Sequence, residues 1–110
     1  MPKKRRSAPE PVDPVSVDGT TYEVIHFGKA RGLKQNGGYI AKNDQESGEE
    51  LDVIRVYKVR YRWWRAIEKD KQDIFITGMS LDESGKKLMI SHERGGEFAL
   101  DLDTGTVETL

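Results

Sequence analysis

The sequence predicts an all-β domain, a single small antiparallel sandwich or partly closed barrel of about six or seven strands, behind a disordered N-terminal tail. Three observations predict it. Apolar residues come in short runs that alternate with polar ones, which is the period of a strand. Turn-forming clusters, QESG (45–48), DESG (82–85), RGG (94–96) and DTG (103–105), separate those runs at short intervals. No stretch sustains a helical period.

Residues 1–18 hold all four prolines and almost nothing large and apolar, so they read as a disordered or extended tail. Lys3, Lys4, Arg5 and Arg6 form a basic cluster within it, a solubilising tail, a nuclear-import signal or a phosphate-binding arm. The domain proper is 19–110. TTYEVIHFG (20–28) is a strand with apolar residues on both faces, which predicts burial on both sides. KARGLKQNGG (29–38) is a glycine-punctuated loop, and GYIAKND (38–44) the next strand. EELDVIRVYKVRY (49–61) is the longest strand candidate. WWRAIEKDKQ (63–72) is a polar connection, because a helix of that length is marginal alone. DIFITGMSL (73–81), KKLMISHE (86–93), EFALDL (97–102) and TVETL (106–110) complete the strands. The expected core is Val24, Ile40, Val53, Tyr57, Ile74, Ile76, Leu88, Ile90, Phe98 and Leu100.

Size and composition bound the function. At 110 residues the chain buries one core, and with 34% charged against 35% apolar residues that core is thin. The formal net charge of -1 lacks the basic excess of a dedicated nucleic-acid binder. Without cysteine there is no disulfide, thiolate metal site or Cys nucleophile, and a reducing, intracellular home is favoured. No apolar run approaches the ~20 residues of a membrane span, and the N-terminus lacks a signal peptide's apolar stretch. The expected location is cytoplasmic, with no membrane partner.

An internal repeat relates GGYIAKNDQESGEEL (37–51) to GGEFALDLDTGTVET (95–109), the first copy carrying one extra residue in its turn. Each encodes a strand, a tight turn and a returning strand, with Gly48 and Gly105 at turn positions of positive φ. The second copy, in LDESGKKLMISHERGGEFALDLDTGTVE (81–108), resembles one β-propeller blade of the PQQ-binding-like repeat through Ala99, Leu100, Asp101, Thr104 and Gly105. A closed propeller needs about four or more blades and this chain has room for two at most. The tryptophan that often follows the turn in such repeats is missing, and PQQ binding does not carry over. GLKQNGGYIA, SGEEL, QDIFITGMSL and ERGGEFALDL are similar to segments of small uncharacterised bacterial all-β proteins, which implies a bacterial, stand-alone domain.

Chemistry is thinly represented, and no catalytic residue, metal or cofactor is assigned. His26 and His92 lack a triad context, since neighbours on a strand such as Ser91, His92 and Glu93 point to opposite faces. DLDTG (101–105) and NDQESGEE (43–50) resemble fragments of calcium loops but carry only the residues that turns demand. GKARGLKQNGG (28–38) is a candidate ligand loop, with Lys29, Arg31, Lys34, Gly37 and Gly38 able to wrap an anion.

VRYRWWR (59–65) is the sharpest signal. Carrying period two through 49–61 and on to Trp64 puts Leu51, Val53, Arg55, Tyr57, Val59, Tyr61 and Trp63 on a mostly apolar core face and Arg60, Arg62 and Trp64 toward water. Two adjacent tryptophans cannot both enter one core from a strand. Arg60, Arg62, Trp63, Trp64 and Arg65 are therefore the expected partner-binding residues, since exposed Trp and Arg dominate binding hot spots. The expected partner is another protein. The alternative is nucleic acid, gripped by the basic tail and stacked on a tryptophan.

Overall fold

Eight strands form among the residues that the computed structural model describes, 8–60 and 72–110. They are β1 (Val15–Val17), β2 (Thr20–Ile25), β3 (Tyr39–Asp44), β4 (Glu50–Arg55), β5 (Ile76–Leu81), β6 (Lys87–His92), β7 (Glu97–Asp101) and β8 (Val107–Thr109). The first four make one antiparallel sheet in chain order, and the last four make another. Registers follow from hydrophobic alternation. Val24, Ile40 and Ile54 lie side by side on the inner face of the first sheet. On the inner face of the second, Leu88 is opposite Leu100 and Ile90 opposite Phe98.

Those inner faces share one core. Tyr22, Ile40 and Val56 pack with Ile76, Leu88, Ile90, Phe98 and Leu100, so the molecule is an antiparallel sandwich. Burial pushes the Tyr22 phenol pKa up, with the Asp18 carboxylate adding to it. Ile40, Ile76, Leu88, Ile90, Phe98 and Leu100 are buried as expected, while Val24, Val53, Tyr57 and Ile74 are only half-buried. Val59 is buried as strand periodicity placed it, while Tyr39 and Phe75 take buried places outside the expected core.

Three expectations are corrected. The tail was expected to run to residue 18, but Val15–Val17 pairs with β2 and is turned into it by Asp18-Gly19. The prolines stop at 14, and valines at 15 and 17 present apolar side chains to the core side of the ladder. The strand expected over 20–28 ends at Ile25, and Phe27 is 53% exposed.

The strand expected over 49–61 ends at Arg55. Lys42 is opposite Asp52 and Asn43 opposite Glu50, so Leu51 has no partner. This bulge turns Leu51 out to 53% exposure, against its expected core place. Past Arg55 period two no longer governs the faces, and Val56 and Val59 are both buried, although strict alternation would separate them.

The two copies form hairpins of the same turn geometry, with a changed register. Asp44 N–H meets the Glu49 carbonyl at 2.8 Å, and Asp101 N–H meets that of Thr106 at 2.9 Å. Gly48 N–H returns to Asp44 and Gly105 N–H to Asp101, both at 2.8 Å, and both glycines have positive φ (77° and 75°). The two turns thus have equal length, and the expected extra residue lies before the turn, in β3, which has 6 residues against the 5 of β7. Each turn also hydrogen-bonds its leading aspartate. The Ser47 hydroxyl holds the Asp44 carboxyl pKa below its ordinary value, and the backbone N–H groups of Thr104 and Asp103 do so for Asp101. The β5–β6 turn repeats the device, with Ser84 lowering the pKa of Asp82.

Candidate functional site

The loop between β2 and β3 begins with a 3-10 turn, Gly28–Arg31, and closes on itself. Gly28 N–H bonds the Asn36 carbonyl at 3.0 Å, Lys29 N–H the Asn36 Oδ1 at 3.1 Å, and Leu33 N–H the Gly28 carbonyl at 3.0 Å. Ala30 and Gly32 N–H groups bond Phe27 and Lys29. An anion cradle needs convergent free N–H groups. Here those of Gly28, Lys29, Gly32 and Leu33 are bonded within the loop and that of Ala30 to Phe27, so these five do not converge on an anion.

The loop lies across the outer face of the first sheet. Alternation points Tyr39 away from the core, yet it is 6% exposed, because Gly28 packs on its ring. Farther along the same face, Arg31 forms an ion pair with Glu50. Lys29, Arg31 and Lys34 are all exposed. Gly37 and Gly38, read as ligand-wrapping positions, are buried. A Cβ on Gly37 would collide with the Ile74 carbonyl oxygen, and one on Gly38 would lie 3.0 Å from that of Tyr57. Close approach of backbone explains both glycines.

Gln35 is the centre of this region and was missed by sequence reasoning. It is 2% exposed. Its Nε2 donates to the carbonyls of Gly37 and Tyr57, each at 2.8 Å, and its Oε1 accepts Val59 N–H at 2.8 Å. One amide thereby satisfies three groups of a chain that has left its ladder. Asn36 Nδ2 donates to Asp73 Oδ2 at 3.0 Å, and the Tyr57 hydroxyl to the Ile74 carbonyl. A lone Gln-Asn pair in a polar loop carries no periodic signal.

These bonds join two regions that the sequence singled out separately. Val59 and Asp73, on either side of residues 61–71, are both held by loop 28–38. Lys58 and Arg60 are exposed beside this junction. Tyr61, Arg62, Trp63, Trp64 and Arg65 lie outside the described residues, so the placement expected for the two tryptophans does too.

The histidines have local partners. His26 Nε2 donates to the Glu10 carbonyl at 2.9 Å, and its ring stands edge-on to Phe75 at 5.6 Å. Nδ1 of His26 is buried without a hydrogen-bond partner. His92 Nδ1 accepts N–H bonds from Arg94 (3.1 Å) and Gly96 (3.3 Å), filling in the β6–β7 turn the role that aspartate fills in the others. Its ring packs with Tyr57 and Phe98. Among the described residues no group of three His, Cys, Asp or Glu could hold a metal ion. No helix there is long and apolar enough to cross a membrane. No family model, curated protein or solved structure matches this chain.

Proposed function

We propose that this chain is a non-enzymatic, cytoplasmic bacterial module that binds another protein in an adaptor or immunity-like role. Its contact surface is VRYRWWR together with the exposed cations of loop 28–38. One observation carries the reading. The loop's Gln35 and Asn36 hold Val59 and Asp73, the described residues on either side of 61–71, beside exposed Lys58 and Arg60. Two tryptophans flanked along the chain by Arg60, Arg62 and Arg65 are the composition of an interface hot spot.

Affinity capture from a bacterial lysate, with and without nuclease, tests it. Capture that survives nuclease and is lost in Trp64→Ala, with thermal stability intact, supports a protein partner. A Trp anchor contributes roughly 2 kcal/mol or more, so the loss should exceed tenfold. Capture abolished by nuclease, and by replacing Arg60 and Arg62 together, would move the reading to nucleic acid, whose phosphate contacts release counterions and weaken steeply with salt.

A further inference from the structure

The chain contains one Asn-Gly pair, Asn36-Gly37, and packing dictates both of its residues. A Cβ on Gly37 would collide with the Ile74 carbonyl oxygen, so glycine is the residue that fits. At 36 one short side chain must both donate and accept, which an amide does. Asn36 Nδ2 donates to Asp73 Oδ2 at 3.0 Å, and its Oδ1 accepts the Lys29 N–H at 3.1 Å. Asn36 is half-buried, whereas Asp73 is 2% exposed. Among the described residues no acceptor meets the Gly37 N–H. The fold thus keeps an asparagine amide beside a backbone nitrogen that no side chain shields, and points that amide at a buried carboxyl group.

We propose that Asn36 is a deamidation site, and that its conversion to a carboxylate releases Asp73 from loop 28–38. The Gly37 nitrogen attacks Asn36 Cγ and closes a succinimide ring through a new C–N bond. The amide nitrogen leaves as ammonia, taking the proton that the Gly37 N–H gives up. Water then opens the ring at one carbonyl or the other, leaving aspartate or isoaspartate. Either product has lost the donor that Asn36 offers Asp73. An aspartate at 36 still accepts the Lys29 N–H, but it sets a second carboxylate against a buried one. Like charges so placed repel strongly where water is scarce. Isoaspartate also adds a methylene to the backbone, which respaces Gln35 and Gly37, now joined by the Gln35 Nε2 bond to the Gly37 carbonyl. The reaction needs only water and does not reverse, so it is a slow, one-way release of the chain at 73. It rests on the hold of the loop on Asp73 and on no partner, so it can fail without touching the binding reading.

Peptide mapping by mass spectrometry of the full chain, aged over days in mildly alkaline buffer, tests the first step. The mass change of NH2 replaced by OH should accumulate at Asn36 at least tenfold faster than at Asn43, the chain's other asparagine. Hydrogen exchange tests the second. Residues 73–75 should exchange at least tenfold faster in the aged chain and in Asn36→Asp than in the fresh chain, with β6 unchanged. The aged chain gives this reading without a substitution that could prevent folding. A double-mutant cycle then isolates the repulsion. The melting shift caused by Asn36→Asp should at least halve in an Asp73→Asn background, where the amide donor stands on the other side of the same contact. Deamidation at Asn36 no faster than at Asn43 overturns the site. Unchanged exchange at 73–75, or a melting shift that Asp73→Asn leaves as large, overturns the release.

Discussion

The two sheets have the same strand order and closely similar final hairpins, but opposite outer faces. In the first, the connection from the second strand to the third is residues 26–38, and it folds back over Tyr39. In the second, the equivalent connection is residues 93–96, too short to cover anything, and His92 closes it as a tight turn. Strand patterning alone makes the meander. The length of one connection decides whether its outer face becomes packed interior or exposed surface.

If both sheets contribute equally to one core, Ile40→Ala in the first and Leu88→Ala in the second should cost alike. Each is 0% exposed, so about 2–5 kcal/mol apiece is expected from lost burial and the cavity left behind. Chemical denaturation should show one transition in both. A second transition in either variant would mean that the sheets unfold separately.

The covered and bare faces should separate sharply at their glycines. Gly37→Ala drives a Cβ into the Ile74 backbone, which has no rotamer to adopt, and about 3 kcal/mol should be lost. Gly78→Ala on the bare face meets only the Ser91 hydroxyl at 2.7 Å, which can rotate away, so the effect should stay below about 1 kcal/mol. Equal melting shifts would refute the covering role of the loop. Gln35→Ala sharpens the same point. It strands the Val59 N–H and two carbonyls, at a cost of about 2–3 kcal/mol. Hydrogen exchange should quicken at Val59 well before it does in β6.

The paired turns should behave as twins. Gly48→Ala and Gly105→Ala each place a Cβ at positive φ with no neighbour within 4 Å, so each should cost about 1 kcal/mol from backbone strain alone. Unequal costs would break the equivalence of the hairpins.

The smallest expected effect is that of acid. Asp44, Asp82 and Asp101 have lowered pKa values from the hydrogen bonds their turns supply. A carboxylate with a depressed folded pKa stabilises the fold above the unfolded value, about 4, and loses that contribution as pH falls through the folded value. Melting temperature should therefore drop on acidification below about pH 4. The drop should shrink in Asp44→Asn and Asp101→Asn, where the amide accepts turn bonds without titrating.

Much of the fold was legible because its signals are local. Alternation located β2, β3 and β5 to β8 to within a few residues, and turn residues located their connections. Leu51 was misplaced by carrying period two through a β-bulge, which has no signature of its own, and the fourth strand was drawn too long by carrying the same period past Arg55. Val15–Val17 was hidden by flanking prolines and by being only three residues long. Of the candidate ligand loop, Lys29, Arg31 and Lys34 are exposed, while Gly37 and Gly38 are buried against backbone, a close approach that a glycine in a polar loop does not announce.

By itself the sequence determined the strand periods, the turn chemistry of Asp44, Asp82 and Asp101, and the apolar set that fills the core, since each depends on residues close in the chain. Only the tertiary structure decided that Gln35 would be buried, that loop 28–38 would cover one sheet and leave the other bare, and that this loop would hold the chain on both sides of residues 61–71. Those outcomes depend on which backbone groups lose their ladder partners once the sheets pack. A buried amide is favourable only where such orphaned groups converge, and no local pattern encodes that convergence.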